Sequence, residues 1–217
     1  MMASRATRTA VDRAVDTITE EVRQGRLVPG QRLVEADLVE TLRIGRGSVR
    51  EALRCLEAQG LVESTAHRGS RIRPIDREEL REIYEARSLI ESEAARRAAR
   101  YIDEGNHRER IEAALAGLRE VRTGDVLGYI DHNAVFHSCV LAMSNNRQFS
   151  AIVESINLWT LRYSIGRLLA GAITEIHKEH EEVAARILAG DEAGAAEAMR
   201  THVDNTGKLA LARLDGR

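Results

Sequence analysis

The 217-residue chain has few of the residues that stabilise small secreted proteins. It contains only two cysteines and two prolines, and aromatic residues make up 3% of the sequence. The two cysteines, Cys55 and Cys139, lie far apart, which fits a reducing compartment where a free thiol behaves as a small apolar side chain. A hydrophobic fraction of 43% excludes a disordered chain, and so few prolines exclude collagen-like and proline-rich repeats.

Long apolar segments are also absent. No run approaches the roughly 20 apolar residues that a membrane-spanning helix needs. Residues 1–30 contain no apolar block of the kind found in a secretory signal. We therefore expect no membrane partner and a cytoplasmic location. The net charge is −2 at pH 7, so any sign of nucleic-acid binding has to come from the local distribution of charge.

That distribution is uneven along the chain. Residues 1–75 hold 13 arginines and 10 acidic residues, whereas residues 76–217 hold 19 basic and 24 acidic residues. The change falls at Pro74, which disfavours helix before it, and Asp76 with Glu79 matches a capping box that opens a helix. We predict an N-terminal domain of residues 1–74 and a C-terminal domain of residues 75–217.

Three helices and a hairpin are predicted in the N-terminal domain. Apolar residues at helical spacing indicate a first helix that stops near Gly25, a second over 35–42 and a third over 48–59, with Gly60 as its C′ residue. Two short strands are predicted over 61–64 and 70–73. This order is typical of a winged helix-turn-helix.

An arginine stripe accompanies the third helix. Arg43, Arg46, Arg50 and Arg54 follow one another at steps of three, four and four residues, so we expect them to share one face. Guanidinium groups suit DNA phosphates and guanine edges. A merely solvated stripe is the alternative, but the preceding helix-turn and the following basic hairpin favour DNA binding.

Only helices are predicted after the boundary. Breaks in the apolar pattern separate six segments: 77–101, 107–122, 125–143, 146–169, 173–189 and 192–214. Alternating strand patterns are absent, and about 140 residues are enough for a bundle that folds alone. The predicted fold class is mostly α, with an N-terminal winged helix-turn-helix carrying a small β-hairpin wing, and a C-terminal all-α helical bundle.

Histidines recur on the helices of the predicted bundle. Asn133 and His137 are four residues apart and face the same way, while His180 and His202 lie in the middle of the last two helices. Inward-facing groups on three helices can converge on one divalent ion, and neutral imidazole suits Zn or Ni. Alternatively, each histidine is separately exposed or hydrogen-bonded in the core. The pattern alone leaves this open.

The N-terminal motifs resemble a known family. GRLVPGQRLVE (25–35) and GRGSVREALRCLEAQGLVESTAHRGSRI (45–72) are similar to the DNA-binding domain of GntR-family bacterial transcription regulators. The resemblance implies that arginines of the third helix contact bases or phosphates, that the start of this helix binds phosphate, and that the wing approaches the minor groove. With the arginine stripe, the predicted DNA-binding set is Arg43, Arg46, Gly47, Ser48, Arg50, Arg54, His67, Arg68 and Gly69.

Four positions depart from that family pattern, one of them being Ser48, where the family often has proline. Gly45 and Gly47 stand where the family usually carries polar side chains, which removes hydroxyl groups that would bond phosphate and adds flexibility. Ala36 stands where some members have a basic residue. We therefore expect weaker DNA binding or an unusual operator.

The C-terminal motifs resemble the FCD effector-binding domain of the FadR branch of the same family. IYEARSLIESEAARRAA (83–99) and the spacing around the late histidines carry this similarity. In metal-containing members the site resembles one Asp and three His, which implies the set Asn133, His137, His180 and His202 here. Because Asn133 stands where Asp is common, a neutral amide replaces a carboxylate, and we expect weaker metal binding.

The resemblance also implies a small organic acid as effector. Arg87 and Arg162 are candidates for binding its carboxylate, because guanidinium forks match carboxylate geometry. For Arg87 the alternative is an ion pair with Glu91, four residues further along the helix. A metal held by few protein ligands keeps open positions that a carboxylate can fill.

Together these features predict a regulator and not an enzyme. We expect a homodimer that binds a palindromic double-stranded operator and represses transcription, with an organic acid and a divalent metal bound in the helical domain. Two alternatives remain: a metal-sensing regulator without an organic effector, and a metalloenzyme. The second is disfavoured because the sequence has no HExxH motif and no nucleophile–base constellation.

Overall fold

The computed structural model describes residues 9–65, 69–122, 124–156, 165–167 and 169–215. These residues divide into two compact units, one ending at Ile75 and the other starting at Asp76. The predicted fold class is confirmed, since both units are built mainly of helices and only the first contains a sheet. Among the described helices, none has the length and apolar character needed to cross a bilayer.

The N-terminal unit contains three helices and a small antiparallel sheet. The elements in chain order are α1 (Ala10–Arg23), β1 (Arg32–Leu33), α2 (Glu35–Leu42), α3 (Arg46–Ala58), β2 (Val62–Thr65) and β3 (Gly69–Ile72). The strands lie in the order β1-β3-β2, so the predicted hairpin has a third strand. Arg32 and Leu33 supply it by pairing with Arg71 and Ser70.

The turn between α2 and α3 corrects one prediction. Arg43 follows α2 in the left-handed conformation, with a φ of 52°, and α3 begins at Arg46, two residues earlier than predicted. Arg43 therefore lies in the turn before α3, and the prediction that helical spacing puts it on one face with Arg46, Arg50 and Arg54 is wrong, whereas its role in DNA binding stays a prediction. Arg46, Arg50 and Arg54 do lie on α3.

A buried apolar cluster fixes the orientation of α3. Val49, Leu53 and Leu56 point into this core, which leaves the opposite face of α3 in solvent. The core also receives side chains from α1, the sheet and the residues that follow α3: Ile18, Val22, Leu33, Leu61, Val62 and Ile72. Packing of this kind, rather than helix propensity alone, holds short helices in proteins.

The C-terminal unit is a helical bundle. Its elements are α4 (Arg77–Arg100), α5 (His107–Glu120), α6 (Val126–Met143), α7 (Arg147–Ile156), a 3-10 turn (Ala170–Ala172), α8 (Ile173–Leu188) and α9 (Glu192–Asp215). Asp76 caps α4 as predicted, accepting a hydrogen bond from the backbone N–H of Glu79 at 2.9 Å. The middle of the predicted helix over 146–169 lies outside the described residues.

Helices α4 and α9 pack together most extensively. An ion pair between Arg77 and Asp215, 2.9 Å long, joins the first turn of α4 to the last turn of α9. Gly207 of α9 faces the ring of Tyr84 of α4, and a Cβ atom at this glycine would lie 2.8 Å from Cγ of that ring. The glycine therefore permits the close approach of the two helices.

We predict that Gly207→Val lowers the free energy of unfolding by about 1–3 kcal/mol, because the added methyl groups displace the Tyr84 ring. Lys208→Val is the matched control, since Lys208 is exposed on the same helix. Helix propensity alone should change its stability by less than about 0.7 kcal/mol. Chemical denaturation measures both, and equal losses would contradict the packing role assigned to Gly207.

Candidate functional site

Three histidines from three helices meet inside the bundle. His137 comes from α6, His180 from α8 and His202 from α9, and all three side chains are buried. The Nε2 atom of His137 lies 3.2 Å from Nε2 of His202 and 3.5 Å from Nε2 of His180. One ring nitrogen from each histidine lies within 4.8 Å of the other two. The structure thus brings together three of the four predicted metal ligands.

Aromatic packing orients the imidazole rings. The ring of Phe136, which is fully buried, stands edge-on to His180 with a centroid distance of 4.9 Å. The rings of His137 and His202 are stacked, with centroids 5.2 Å apart. Because these contacts hold the ring planes, the three nitrogen atoms point toward one common volume.

The donor atoms fit a divalent transition metal. Zinc–imidazole bonds of about 2.0–2.1 Å place two ligand nitrogens about 2.8–3.4 Å apart at octahedral to tetrahedral angles. The 3.2 Å separation between His137 and His202 falls in this range, and the 3.5 Å separation between His137 and His180 lies just above it. Neutral imidazole nitrogen is also a donor that Zn, Ni and related ions accept.

Two carboxylates contact the far side of the histidine cluster. Oε2 of Glu91, on α4, lies 2.5 Å from Nδ1 of His137, and the other oxygen of Glu91 accepts a 2.6 Å hydrogen bond from Nε of Arg87. Oε2 of Glu179, on α8, lies 3.0 Å from Nδ1 of His202. Asn205 donates to the other oxygen of Glu179 at 2.7 Å.

Both carboxylates are held in the ionised form. Burial alone would raise the pKa of Glu91, but the neighbouring Arg87 and His137 outweigh it and bring the pKa below its ordinary value. Burial likewise opposes ionisation of Glu179, and hydrogen bonds from His202 and Asn205 lower its pKa. Two negative charges therefore border the histidine cluster.

Burial lowers the pKa of two of the imidazoles, because it disfavours their charged form. It lowers the pKa of His180 well below 6.5, and the neighbouring His202 and His137 lower it further. It also lowers the pKa of His202, an effect that the hydrogen bond to Glu179 only partly offsets. Both rings are therefore neutral at pH 7, as metal ligation requires.

The fourth predicted ligand, Asn133, is half-buried one turn before His137 on α6. The hydroxyl of Tyr129 donates to its Oδ1 at 3.4 Å, and among the described residues Asn133 makes no hydrogen bond to the imidazoles. Its role as a ligand stays a prediction.

Arg87 makes the ion pair with Glu91 that was the alternative to effector binding. Arg162 lies outside the described residues.

A second polar layer lies one helical turn from the histidines. Arg87 sits 5.2 Å from the centre of the Tyr84 ring, and the rings of Tyr129 and His177 are 5.8 Å apart. Within the described part of the chain, Nε2 of His177 and Oγ1 of Thr206 are buried without a hydrogen-bond partner. The layer comprises Tyr84 and Arg87 of α4, Tyr129 and Asn133 of α6, His177 of α8 and Thr206 of α9.

In the N-terminal unit, the solvent face of α3 carries Arg46, Arg50 and Arg54. Nε of Arg50 donates to Glu35 at 2.9 Å, and Arg54 approaches Glu51 at 3.4 Å. Both arginine side chains remain largely exposed, at 63% and 75%. Exposed pairs of this kind contribute little to stability, so the guanidinium groups can exchange these partners for phosphate.

The start of α3 is open to an approaching backbone. Gly45 is its N-cap and provides no side-chain hydrogen bond, and a Cβ atom at Gly45 or Gly47 would meet nothing within 4 Å. The first N–H groups of a helix lack intrahelical partners and attract anions. Ser48 lies in the same turn, and Gly69 of the wing has a φ of 80°. His67 and Arg68 lie outside the described residues.

Three acidic contacts of these sites were not predicted: Glu91 with His137, Glu179 with His202 and Glu35 with Arg50, although Glu91 was named as the alternative partner of Arg87. Glu91 had a sequence signal, because it falls among the apolar residues of the buried face of α4, where an unpaired charge is costly. Glu179 and Glu35 had none, since their partners lie 23 and 15 residues away in the sequence. Only the folded chain brings these partners together.

Comparison with known families identifies the class of protein. Residues 10–72 match the model of the bacterial regulatory proteins of the gntR family, and residues 82–205 match the FCD domain. The chain therefore belongs to the GntR family of transcription regulators, with a DNA-binding helix-turn-helix and an FCD effector domain. This removes the metalloenzyme alternative, since the family consists of regulators and not enzymes.

Individual relatives are similar along nearly their whole length. The chain is 31% identical to a protein of Paenarthrobacter nicotinovorans named "Probable D-xylose utilization operon transcriptional repressor", over 92% of this chain and 88% of the relative. It is 28% identical to the HTH-type transcriptional regulator LutR of Bacillus subtilis, over 85% and 93%. A GntR regulator structure from Rhodococcus sp. RHA1 shares the fold, with a TM-score of 0.75 at 22% identity over 93% and 97%.

The metal-free protein should lose stability as the pH falls below about 6.5, where histidines of the unfolded chain gain protons. The buried His180 and His202, with lowered pKa values, stay neutral there in the folded state. The free energy of unfolding should therefore fall by at most about 1.4 kcal/mol per pH unit for each histidine. The carboxylates Glu91 and Glu179, also with lowered pKa values, contribute only near and below pH 4.5.

Denaturation of chelator-treated protein at pH 7.5, 6.5 and 5.5 measures this slope. His180→Gln should flatten it, because the variant no longer holds a neutral imidazole in the core. A profile that is level across this range, or equally steep in the variant, would contradict the assignment.

Proposed function

We propose that this regulator controls transcription in response to a small organic acid that binds beside a divalent metal in its FCD domain. The convergence of three buried imidazole nitrogens is the observation that carries this proposal. Uncompensated polar groups are costly inside a bundle, so a cluster of this kind favours a bound ligand over a purely structural role.

DNA recognition is assigned to α3 and to the wing. Two copies in a homodimer would place their α3 helices in successive major grooves of a palindromic operator, because the symmetry of the dimer matches that of the site. Arg46 and Arg50 would contact bases or phosphates, and Arg54 phosphate further along the helix. Gly47 and Ser48 would bind phosphate at the start of α3, and Gly69 would let the wing approach the minor groove.

The metal would be held by His137, His180 and His202, with Asn133 as a weaker fourth ligand. Zn or Ni fits this donor set. When bound, the ion supplies Lewis acidity and open positions that a carboxylate can occupy. The protein's own contribution is an oriented set of imidazoles in a site from which bulk water is largely excluded.

The polar layer next to the histidines is the place we assign to the remainder of the effector. His177 and Thr206 each present a buried polar atom that has no partner among the described residues. A ligand that hydrogen-bonds to these atoms would remove the cost of leaving them unpaired. It would shift the protein toward whichever arrangement binds it more tightly.

Repression is the mode of regulation that we propose. The relatives named as repressors come from Paenarthrobacter nicotinovorans and Escherichia coli. Their names describe those proteins, and the sugar named for the first is not carried over to this chain.

A metal sensor without an organic effector is the second candidate. The observation in its favour is that Arg87, proposed to bind an acid, is already paired with Glu91 at 2.6 Å. In that case occupancy of the histidine cluster alone would change DNA affinity.

The DNA assignment makes a prediction for Arg46→Ala and for Arg50→Ala. A variant that loses a base contact should bind DNA about 1–3 kcal/mol more weakly. A variant that loses a phosphate contact should show a slope of log affinity against log salt concentration that is smaller by about one. Binding is measured by gel shift on a duplex that the wild-type protein selects from a random library. Arg108→Ala, which removes an exposed arginine paired with Asp103 in the FCD domain, is the control. Unchanged binding by both α3 variants would refute the role of this helix.

The metal assignment predicts about one equivalent of Zn or Ni per chain in protein reconstituted with that ion, measured by elemental analysis after removal of free metal. His180→Ala should lose this metal. His132→Ala is the control, because His132 packs against Gly117 away from the cluster and should retain the ion.

A thermal-shift panel of organic acids on the metal-loaded protein separates the two candidates. Further stabilisation by one acid supports the organic effector, whereas stabilisation by metal alone supports the sensor. Retention of metal by His180→Ala would contradict both.

A further inference from the structure

Glu91 and Glu179 each contact the Nδ1 atom of a histidine whose Nε2 atom faces the cluster. We propose that these two carboxylates are positioning residues, which hold His137 and His202 in the Nδ1–H tautomer so that both Nε2 lone pairs are directed at one point. This rests on the metal site proposed above and adds to it the groups that prepare the ligands.

The tautomer follows from hydrogen-bonding capacity. An ionised carboxylate can only accept hydrogen bonds, so an imidazole nitrogen 2.5 or 3.0 Å from it has to carry the proton. A neutral imidazole carries one proton only. If Nδ1 of His137 and of His202 is protonated, the Nε2 atom of each ring has a free lone pair.

Two such lone pairs then face each other. The Nε2 atoms of His137 and His202 are 3.2 Å apart, a distance at which two ring nitrogens normally share a proton. With both protons held at Nδ1, neither nitrogen can donate to the other, and the contact is repulsive until a cation lies between them. The carboxylates therefore determine which nitrogen of each ring keeps its lone pair, as well as the angles of the rings.

The two pairs are not equally rigid. The Glu91 side chain is 1% exposed and is fixed by the ion pair with Arg87 one helical turn before it. The Glu179 side chain is 28% exposed and is held by Asn205 through a 2.7 Å hydrogen bond. The geometry assigns Arg87 to the same arrangement, because it neutralises and orients Glu91 rather than remaining free for an effector.

His180 provides an internal comparison. Its buried Nδ1 atom meets no carboxylate among the described residues, and the hydrogen-bonding group beside this ring on its own helix is the backbone of Ile176, so no carboxylate determines its tautomer. Its Nε2 atom lies 3.5 Å from Nε2 of His137 and can donate its proton there in the absence of an ion.

The negative charges of Glu91 and Glu179 make up for the neutral side chain of Asn133. A carboxylate ligand would have brought a negative charge into direct contact with the ion, and the amide of Asn133 brings none. Glu91 and Glu179 supply negative charge through the imidazoles instead, which raises the basicity of the Nε2 atoms.

The first test is the tautomeric state of the rings in metal-free, histidine-15N-labelled protein. Long-range 1H–15N correlation spectra distinguish Nδ1–H from Nε2–H rings, and spectra of single His→Asn variants assign the signals. The expected result is Nδ1–H for both His137 and His202 at pH 7.5. An Nε2–H signal from either ring overturns the proposal, whether or not the protein binds metal.

The second test is zinc affinity, measured by competition with a chromogenic chelator. Glu91→Gln and Glu179→Gln should each weaken binding by about 10- to 100-fold, the usual effect of losing such a partner. Glu93→Gln on α4 and Glu181→Gln on α8 are matched controls, because they remove exposed carboxylates that pair with Arg96 and Arg119. We expect less than about a twofold change in both controls.

These outcomes separate the proposal from the proposed function. If the wild-type protein bound no zinc, the metal site itself would fail, while the tautomers would still be tested by the spectra. If zinc bound and the Gln variants kept wild-type affinity, the positioning role would be wrong. Should Glu91→Gln not fold, because it leaves Arg87 without its charge partner, the partly exposed Glu179→Gln carries the affinity test alone.

Discussion

The burial of three imidazoles in the middle of a helical bundle is the constraint on which the rest of the effector domain depends. Polar groups removed from water need hydrogen-bond partners or a ligand. Here two of the rings use one nitrogen each on a carboxylate and direct the other toward their neighbours. The buried Glu91 requires a cation in turn, and Arg87 meets that need on the same helix. One polar cluster thus accounts for the buried Glu91, His137, His180 and His202 of helices α4, α6, α8 and α9.

The DNA-binding unit needs only to hold α3 so that one of its faces stays in solvent. Its apolar core holds one face of α3, and this leaves three arginines and an uncapped helix start in solvent. The two units therefore use opposite arrangements: exposed charges that suit a polyanion in the first, and buried imidazoles that suit a small ligand in the second. Membership of the GntR family unites them in one regulator, in which a ligand can act only by its different affinity for two states of the protein.

Much of this arrangement could be predicted from local patterns. Apolar spacing located most of the helices to within one or two residues, and four-residue spacing placed Asn133 and His137 on one face of α6. The error at Arg43 has a local cause: a non-glycine residue in the left-handed conformation ends α2, and spacing arguments assume a continuous helix. The third strand and the Glu179–His202 contact depend on pairings distant in the sequence, which no periodicity reveals.

The central claim is that His137, His180 and His202 bind one divalent ion through their Nε2 atoms. Anomalous diffraction from crystals of the nickel- or zinc-loaded protein tests it most directly. We expect one peak per chain, about 2.0–2.1 Å from each of the three nitrogens, as in other imidazole–zinc sites. A fully loaded protein whose anomalous peak lies elsewhere, or whose ion contacts fewer than two of these rings, would contradict it.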